Sequence, residues 1–316
     1  MRRLFWAVMV LAALYAGYWV VGSAQVERAA QRGVEELRAQ GWEVGFSDLS
    51  TAGFPSRFDT TVTDLSLASP DGSVRWVAPF VQVLALSYRP NRVIAIWPPD
   101  QSLTLDGQRI ALSSQGLRAS ATVGLSEDLP LDNATLEGGL SSVQSSLGWG
   151  FGLDRLLAAI RRAGSGAPNA YDLYLEANGL RPATVSSNIG LLRLSATVAL
   201  DRPLDRRLAE PPRLLSLALT DARLSQGDVA VAASGDLAPD SRGFLTGDLT
   251  IRVENWRGLL DLLEAAGVLV FDQAPLLTAA FEQVAQGPDD IELPVTFRDG
   301  GIEALGVVLL QAPQVL

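Results

Sequence analysis

Hydrophobic and polar positions change their period twice along this chain. Leu4 to Gly22 has no polar period at all, because its nineteen residues, LFWAVMVLAALYAGYWVVG, carry no charge. At a rise of about 1.5 Å per residue such a helix reaches about 28 Å, close to the hydrocarbon thickness of a bilayer. A helical period follows. Val26, Ala30, Gly33 or Val34, and Leu37 recur at i, i+4, i+7 spacing with Glu27, Arg28, Arg32, Glu35, Glu36 and Arg38 between them, and Gly41 supplies a C-terminal stop. This predicts an amphipathic helix over 23–41, either packed on the first strand or serving as a connector.

Beyond Gly41 the period falls to two. Strands are predicted at Glu43–Ser47, Phe58–Leu67, Val74–Ala78, Val81–Ser87, Arg92–Trp97, Ser102–Leu105, Arg109–Ser113 and Leu117–Val123. Asp71-Gly72 and Asp106-Gly107 are tight-turn pairs between such runs. Ser141 to Gly152 is rich in Ser and Gly, and Leu153 to Arg162 then reads as a helix that Gly164 to Pro168 ends. Strands resume at Tyr171–Ala177, Leu191–Leu200, Arg213–Leu224, Val229–Ser234 and Gly247–Val253. A helix from Trp256 to Ala266 follows, with Asn255 as N-cap and Gly267 as C-cap, and a second helix covers Pro275–Val284. Ile291–Arg298 and Ile302–Leu310 close the chain as a hairpin turning at Asp299-Gly300-Gly301. The stretch Gly107–Leu117 echoes Gly227–Leu237, as a repeated Gly-bounded strand would.

The pattern thus predicts an α+β chain, predominantly antiparallel β. Residues 1–3 are cytoplasmic, 4–22 a transmembrane helix and 23–41 an amphipathic stalk. A first β-rich half covers 42–148, a helical linker 149–168, and a second β-rich half 169–316, with helices near 256–284. Each half is expected to be a curved sheet. Arg2 and Arg3 precede the apolar run, so the positive-inside rule leaves the rest in the periplasm, with Trp6, Tyr15, Tyr18 and Trp19 near the ends of the span. Gly22-Ser23-Ala24 offers small residues to a signal peptidase, which keeps a cleaved signal open as the competing reading.

Composition narrows the chemistry. All 25 basic residues are arginine, and histidine and cysteine are absent. Serine–histidine, cysteine–histidine, serine–lysine and Schiff-base machineries are therefore excluded within the chain. A zinc site would have to use carboxylates alone, and no disulfide can form. Leaving out Arg2 and Arg3, 23 arginines stand against 35 acids, a balance of −12 that disfavours nucleic acid. Most acids singled out by position, among them Asp71, Asp106, Asp132, Asp240, Asp289, Asp290 and Asp299, fall in turn contexts that need no catalytic explanation. Gly148-Trp149-Gly150-Phe151-Gly152 lacks the spacing of a dinucleotide-binding loop and reads as linker. No cofactor, metal or catalytic residue is expected.

Two local sequences remain as candidate ligand-binding elements. Gly53-Phe54-Pro55-Ser56-Arg57-Phe58 is a sharp corner with a fixed exit, suited to the mouth of a cavity. Tyr88-Arg89-Pro90-Asn91-Arg92 reads as a turn at Pro90-Asn91, with Trp97-Pro98-Pro99 ending the next strand. Phe54, Pro55, Arg57, Tyr88, Arg89 and Trp97 are the residues expected to matter. The strands carry Leu, Val, Ile and Ala on one face, and such a face must pack on helices, close on itself or curl around an apolar ligand.

Gly53-Phe54-Pro55 with Arg57-Phe58, then Trp76-Val77-Ala78-Pro79, then Ser87-Tyr88-Arg89-Pro90-Asn91 with Val93-Ile94-Ala95, resembles an uncharacterised proteobacterial family, domain of unknown function 2125. Leu219-Thr220-Asp221-Ala222 and Val253-Glu254-Asn255-Trp256 agree with it in the second half. The resemblance carries over no activity. Where such families place asparagine–histidine after the Arg-Pro, this chain has Asn91-Arg92. At the level of architecture the chain is also similar to AsmA-like envelope proteins, which implies lipid handling. The function expected is a non-enzymatic periplasmic module that binds lipid or another apolar ligand, anchored in the inner membrane through 4–22 and serving envelope biogenesis. The alternative is a scaffold that binds another envelope protein through an edge strand or the N-terminal helix.

Overall fold

The computed structural model describes residues 1–164, 166–183, 188–206, 211–265, 278–279, 281–283, 285, 287, 289–304 and 307–315. Contacts divide the chain into a first unit, Met1–Leu125 with Ala134–Phe151, and a second unit, Ser126–Asn133 with Gly152–Leu316. Antiparallel strands dominate both, as the period-two pattern predicts.

One uninterrupted helix, α1 (Arg2–Ala39), opens the first unit. It is apolar enough over its first half to cross a membrane, with a mean hydropathy of 2.0 in its best window. Among its half-buried positions, Ala16, Trp19, Gly22, Val26, Ala30, Gly33, Val34 and Leu37 form a stripe. The stripe packs on β1 (Glu43–Gly45), β2 (Asp48–Ala52) and β3 (Arg57–Ala68). The amphipathic part is therefore a packed helix rather than a free connector. The Arg38 guanidinium fixes its end by donating to the Val44 carbonyl at 2.7 Å.

Strand β3 pairs antiparallel with β1, β2 and β4 (Val74–Leu86). Past β4 the ladder forks. Residues 74–77 pair with β6 (Asp100–Leu105), and 82–86 pair with β5 (Arg89–Ile96). The long β7 (Gln108–Val123) meets β6 through 108–113 and β5 through 118–122. Pro79 and Gly116, which divide these strands in the sequence reading, lie in the two gaps of the fork. A missing N–H at Pro79 or a φ of +61° at Gly116 costs no β5 or β6 rung there. Both runs are consequently single strands, and β2 is an additional strand that the pattern does not announce.

The middle of the chain overturns the predicted helical linker. Residues 131–145 and 150–162 are strands, β8 (Leu131–Ser145) and β9 (Gly150–Arg162), and Trp149 and Phe151 stack at 6.5 Å. Leu153 is buried, and Arg161 reaches Asp172 at 3.1 Å while Asp154 meets Arg181 across to β10 (Ala170–Pro182).

The second unit continues antiparallel from β10 through β11 (Ile189–Leu200), β12 (Leu214–Gln226), β13 (Val229–Pro239), β14 (Leu245–Glu254), β15 (Asp290–Arg298) and β16 (Gly301–Ala304) to β17 (Val307–Gln311). The predicted single strand Ile302–Leu310 is the β16–β17 hairpin. Asp299 and Gly300 turn between β15 and β16 with φ of 53° and 81°, and Asp106 and Gly107 do the same between β6 and β7 with 48° and 80°, the geometry that Asp-Gly favours.

Helix α2 (Trp256–Ala265) starts where Asn255 Oδ1 accepts the Gly258 N–H at 3.0 Å, the expected cap. Trp256 and Leu260 bury against Val253 and Ile291, with Phe281 edge-on to the indole at 5.7 Å. In the stretch expected to form the second helix, residues 278–279 and 281–283 are helical. The C-cap expected at Gly267 lies outside the described residues.

Candidate functional site

Four of the six candidate residues flank one seat on α1, and a fifth, Arg57, contributes its backbone to it. The corner begins at Gly53, whose φ of +105° and neighbouring Arg57 carbonyl leave no room for a side chain: a Cβ would lie 2.9 Å from that oxygen. The Arg57 N–H closes the corner onto the Gly53 carbonyl at 2.9 Å, and the Phe54–Pro55 peptide is cis. Next to it, β4 and β5 turn at Ser87 and Tyr88, and the Ser87 N–H donates to the Ser56 carbonyl at 3.0 Å. The turn is thus three residues earlier than the expected Pro90-Asn91, which belongs to β5. Asn91 instead donates its side-chain amide to the Val123 carbonyl at 2.9 Å.

Helix α1 is bolted to this corner by its aromatic residues. The Tyr18 hydroxyl donates to the Ser87 carbonyl at 2.7 Å, and the Tyr15 and Ser87 hydroxyls share a hydrogen bond at 3.2 Å. The Trp19 indole N–H donates to the Arg57 carbonyl at 2.8 Å, with Phe54 edge-on to its ring at 5.4 Å and Phe58 beside it at 6.2 Å. Ser87 is fully buried under these contacts. Phe54 and Tyr88 nevertheless keep most of their surface free, at 58 % and 64 % exposure. Arg57, Leu86 and Arg89 share one row of the β3–β4–β5 ladder. Arg57 pairs with Asp59 at 2.8 Å. Trp97, the sixth candidate, follows the far end of β5, about eight residues or roughly 26 Å along the strand. It takes no part in the corner.

A second feature emerges only from the registers of the second unit. Partners across the ladder lie on one face. Tyr171, Val198, Leu217, Leu237, Gly247, Phe297, Ile302 and Leu310 form one row from β10 to β17. The next row reads Leu173, Ala196, Leu219, Gly235, Leu249, Val295, Ala304 and Val307. Leu175, Leu194, Ala222, Ala233, Ile251 and Leu293 make a third, and Ala177, Leu192, Leu224, Val231, Val253 and Ile291 a fourth. Every position is apolar or glycine. The opposite face is polar: Asp172, Thr197, Asp236, Asp248 and Thr296 recur there, as do Glu176, Arg193, Arg223, Arg252 and Glu292. On it the Tyr174 hydroxyl holds the Glu176 carboxyl below its ordinary range, helped by Asn178.

The rows stay in phase because β12 carries a bulge between Leu219 and Ala222. Without that slip Leu217 and Leu219 would oppose the face of Ala222 and Leu224. The break in alternation at Thr220-Asp221 is visible in the sequence. Where β13–β15 carry the face, α2 covers it through Trp256, Leu259 and Leu260. On β10–β12 the leucines 173, 175, 192, 194, 217 and 219 are only half-buried, and Leu224 is exposed. Among the described residues no group of three or more acids could hold a metal ion.

Residues 19–313 match the model of a family described as uncharacterized protein conserved in bacteria, DUF2125. The chain belongs to this family. The match starts at Trp19, so the DUF2125 region includes the indole that α1 lends to the corner. Both motif regions quoted for the family now have a structural meaning: Gly53-Phe54-Pro55 and Ser87-Tyr88 form the helix seat, and Leu219-Thr220-Asp221-Ala222 is the bulge that keeps the apolar rows in phase. No curated protein and no solved structure matches the chain, and neither comparison supports the likeness to AsmA-like proteins.

Proposed function

We propose that this DUF2125 protein is a single-pass inner-membrane protein whose periplasmic second unit holds a lipid or other apolar ligand against its sheet, in envelope biogenesis. The observation that carries the reading is the set of unbroken apolar rows, half-open over β10–β12. An antiparallel sheet can face water on one side only if that side is polar. Here one face is polar and the other offers aliphatic side chains at the strand spacing of about 4.8 Å, a surface matched to acyl chains. Burying such chains stabilises a complex by about 25 cal/mol per Å² of apolar area removed from water, without any catalytic group.

The test uses the full chain in its own membranes, carrying one photoreactive residue at a time. Probes replacing Leu194 or Leu219 on the apolar face are expected to capture a phospholipid or another apolar molecule on illumination. Probes replacing Arg193 or Thr220 are expected to capture none. Absence of any small-molecule adduct at Leu194 and Leu219 overturns the reading.

A second reading rests on β17, the end of this ladder, where Val307, Val308 and Leu310 are exposed at 58, 62 and 68 %. Such a strand suits pairing with an extended segment of an envelope protein. Protein adducts confined to probes at Val308 would favour it over the lipid reading.

A further inference from the structure

We propose that the Gly53–Phe58 corner and the Ser87–Tyr88 turn dip into the interfacial layer of the phospholipid bilayer, with Phe54 and Tyr88 as the immersed side chains. The proposal rests on the reading of α1 as a membrane span and adds where the folded domain meets the lipid.

The argument is one of heights along a single helix. The apolar run ends at Gly22, yet α1 already touches the domain at Tyr15, Tyr18 and Trp19. These residues lie three to seven positions before the end of the run, or about 5–10 Å along the axis. The part ahead of the contact, Leu4 to Leu14, is eleven residues and reaches about 16 Å. A hydrocarbon layer of about 30 Å cannot be crossed by that part alone. The bilayer therefore has to extend up α1 to the level at which Ser87 and Arg57 accept its hydrogen bonds, and those residues come with the corner attached.

What the corner presents suits that level. Phe54 is 58 % exposed and Tyr88 64 %, so most of each side chain is free even though Phe54 keeps an edge-on contact with Trp19. Leu125, just past the β7 end to which Asn91 is tied, is 83 % exposed. Arg89 is exposed beside Tyr88 and has no ion-pair partner among the described residues, which leaves its guanidinium for lipid phosphate. Aromatic rings with an adjacent arginine are the composition of a membrane–water interface. Beside Arg57 on β3, Asp59 is half-buried and already engaged by that arginine, while Glu127 and Asp128 are exposed in the segment after Leu125. The chain as a whole carries −10, so this local choice runs against the average surface.

Because the protein has no cysteine, a single introduced thiol labels one position. The full chain is reconstituted in vesicles of phosphatidylethanolamine and phosphatidylglycerol, bearing a nitroxide at Phe54→Cys, Tyr88→Cys, Leu11→Cys or Gln115→Cys in turn. Collision with oxygen and with a water-soluble nickel complex reads the depth. Labels at 54 and 88 are expected to favour oxygen over nickel, to a lesser degree than at 11, while 115, in the middle of β7 and eight residues or about 26 Å from its Val123 end, favours nickel. Water-like labels at 54 and 88 with a deep label at 11 would overturn the immersion and leave the anchor standing. A water-like label at 11 would remove the anchor and the immersion together.

Discussion

Gly22 and Gly17 stand on the same helix and have opposite surroundings. A Cβ at Gly22 would meet the Phe58 ring at 2.6 Å, and Phe58 is itself buried, whereas a Cβ at Gly17 meets nothing within 4 Å. The helix is pressed onto the corner at one glycine and free at the other. Gly22→Leu is therefore expected to lower the stability of the first unit by about 1–3 kcal/mol, the usual cost of overpacking. Gly17→Leu should leave it unchanged. Urea unfolding of the full chain in vesicles would compare the two. At the same scale the sequence was readable where a residue has one physical use: Gly53-Phe54-Pro55 for a sharp corner, Asn255 for a cap, Asp299-Gly300 for a tight turn. It misled at Pro90, which looks like a turn-former. The hairpin turns at Ser87-Tyr88 because α1 supplies Tyr15 and Tyr18 to satisfy Ser87, and those partners lie about seventy residues away in sequence.

Among the elements, α2 is the clearest case of a cover. Its first residue, Trp256, is fully buried, and its cap and its core contacts both sit in one turn. Trp256→Ala is expected to cost about 3–5 kcal/mol of the second unit's stability, by loss of the indole and the hole left beside Phe281. Calorimetry should show that loss in one transition only. The segment Leu153–Arg162 teaches the reverse lesson. Its leucines, alanines and arginines favour a helix, and ten residues of such sequence are marginal without packing. Placed beside β10, the same residues gain ion pairs with Asp172 and Arg181 and bury Leu153, and they form a strand. Local propensity was outweighed by partners whose positions no window of sequence contains. The long strands β4 and β7 were divided for a related reason: Pro79 and Gly116 break a lone strand but not a forked ladder.

For the molecule as a whole, the question of a cleaved leader takes a structural form. Removal of residues 1–24 would strip the first unit of the Trp19 bond to Arg57 and of the two tyrosines on Ser87. Three such hydrogen bonds are worth about 1.5–4.5 kcal/mol together. A chain beginning at Gln25 is expected to show a lowered unfolding midpoint for the first unit and an unchanged one for the second. An unmoved first transition would mean that the helix seat contributes nothing to the fold. A helix long and apolar enough to span a membrane, the β class and the apolar strand faces were legible from period and composition. The alignment of those faces into rows was not, since it depends on register, and register depends on bulges such as that at Thr220-Asp221.

The unbroken course of α1 has a mechanical side. A domain on a floppy tether samples a hemisphere above its membrane, and its encounters are set by tether length. This first unit has no tether. The helix runs on for seventeen residues after Gly22, about 25 Å, with its stripe against the sheet all the way to Leu37. It acts as a post to which the unit is keyed like a flag, so the unit's position along the post and its bearing around it are fixed together. Anything that tilts the post swings the whole first unit through the same angle.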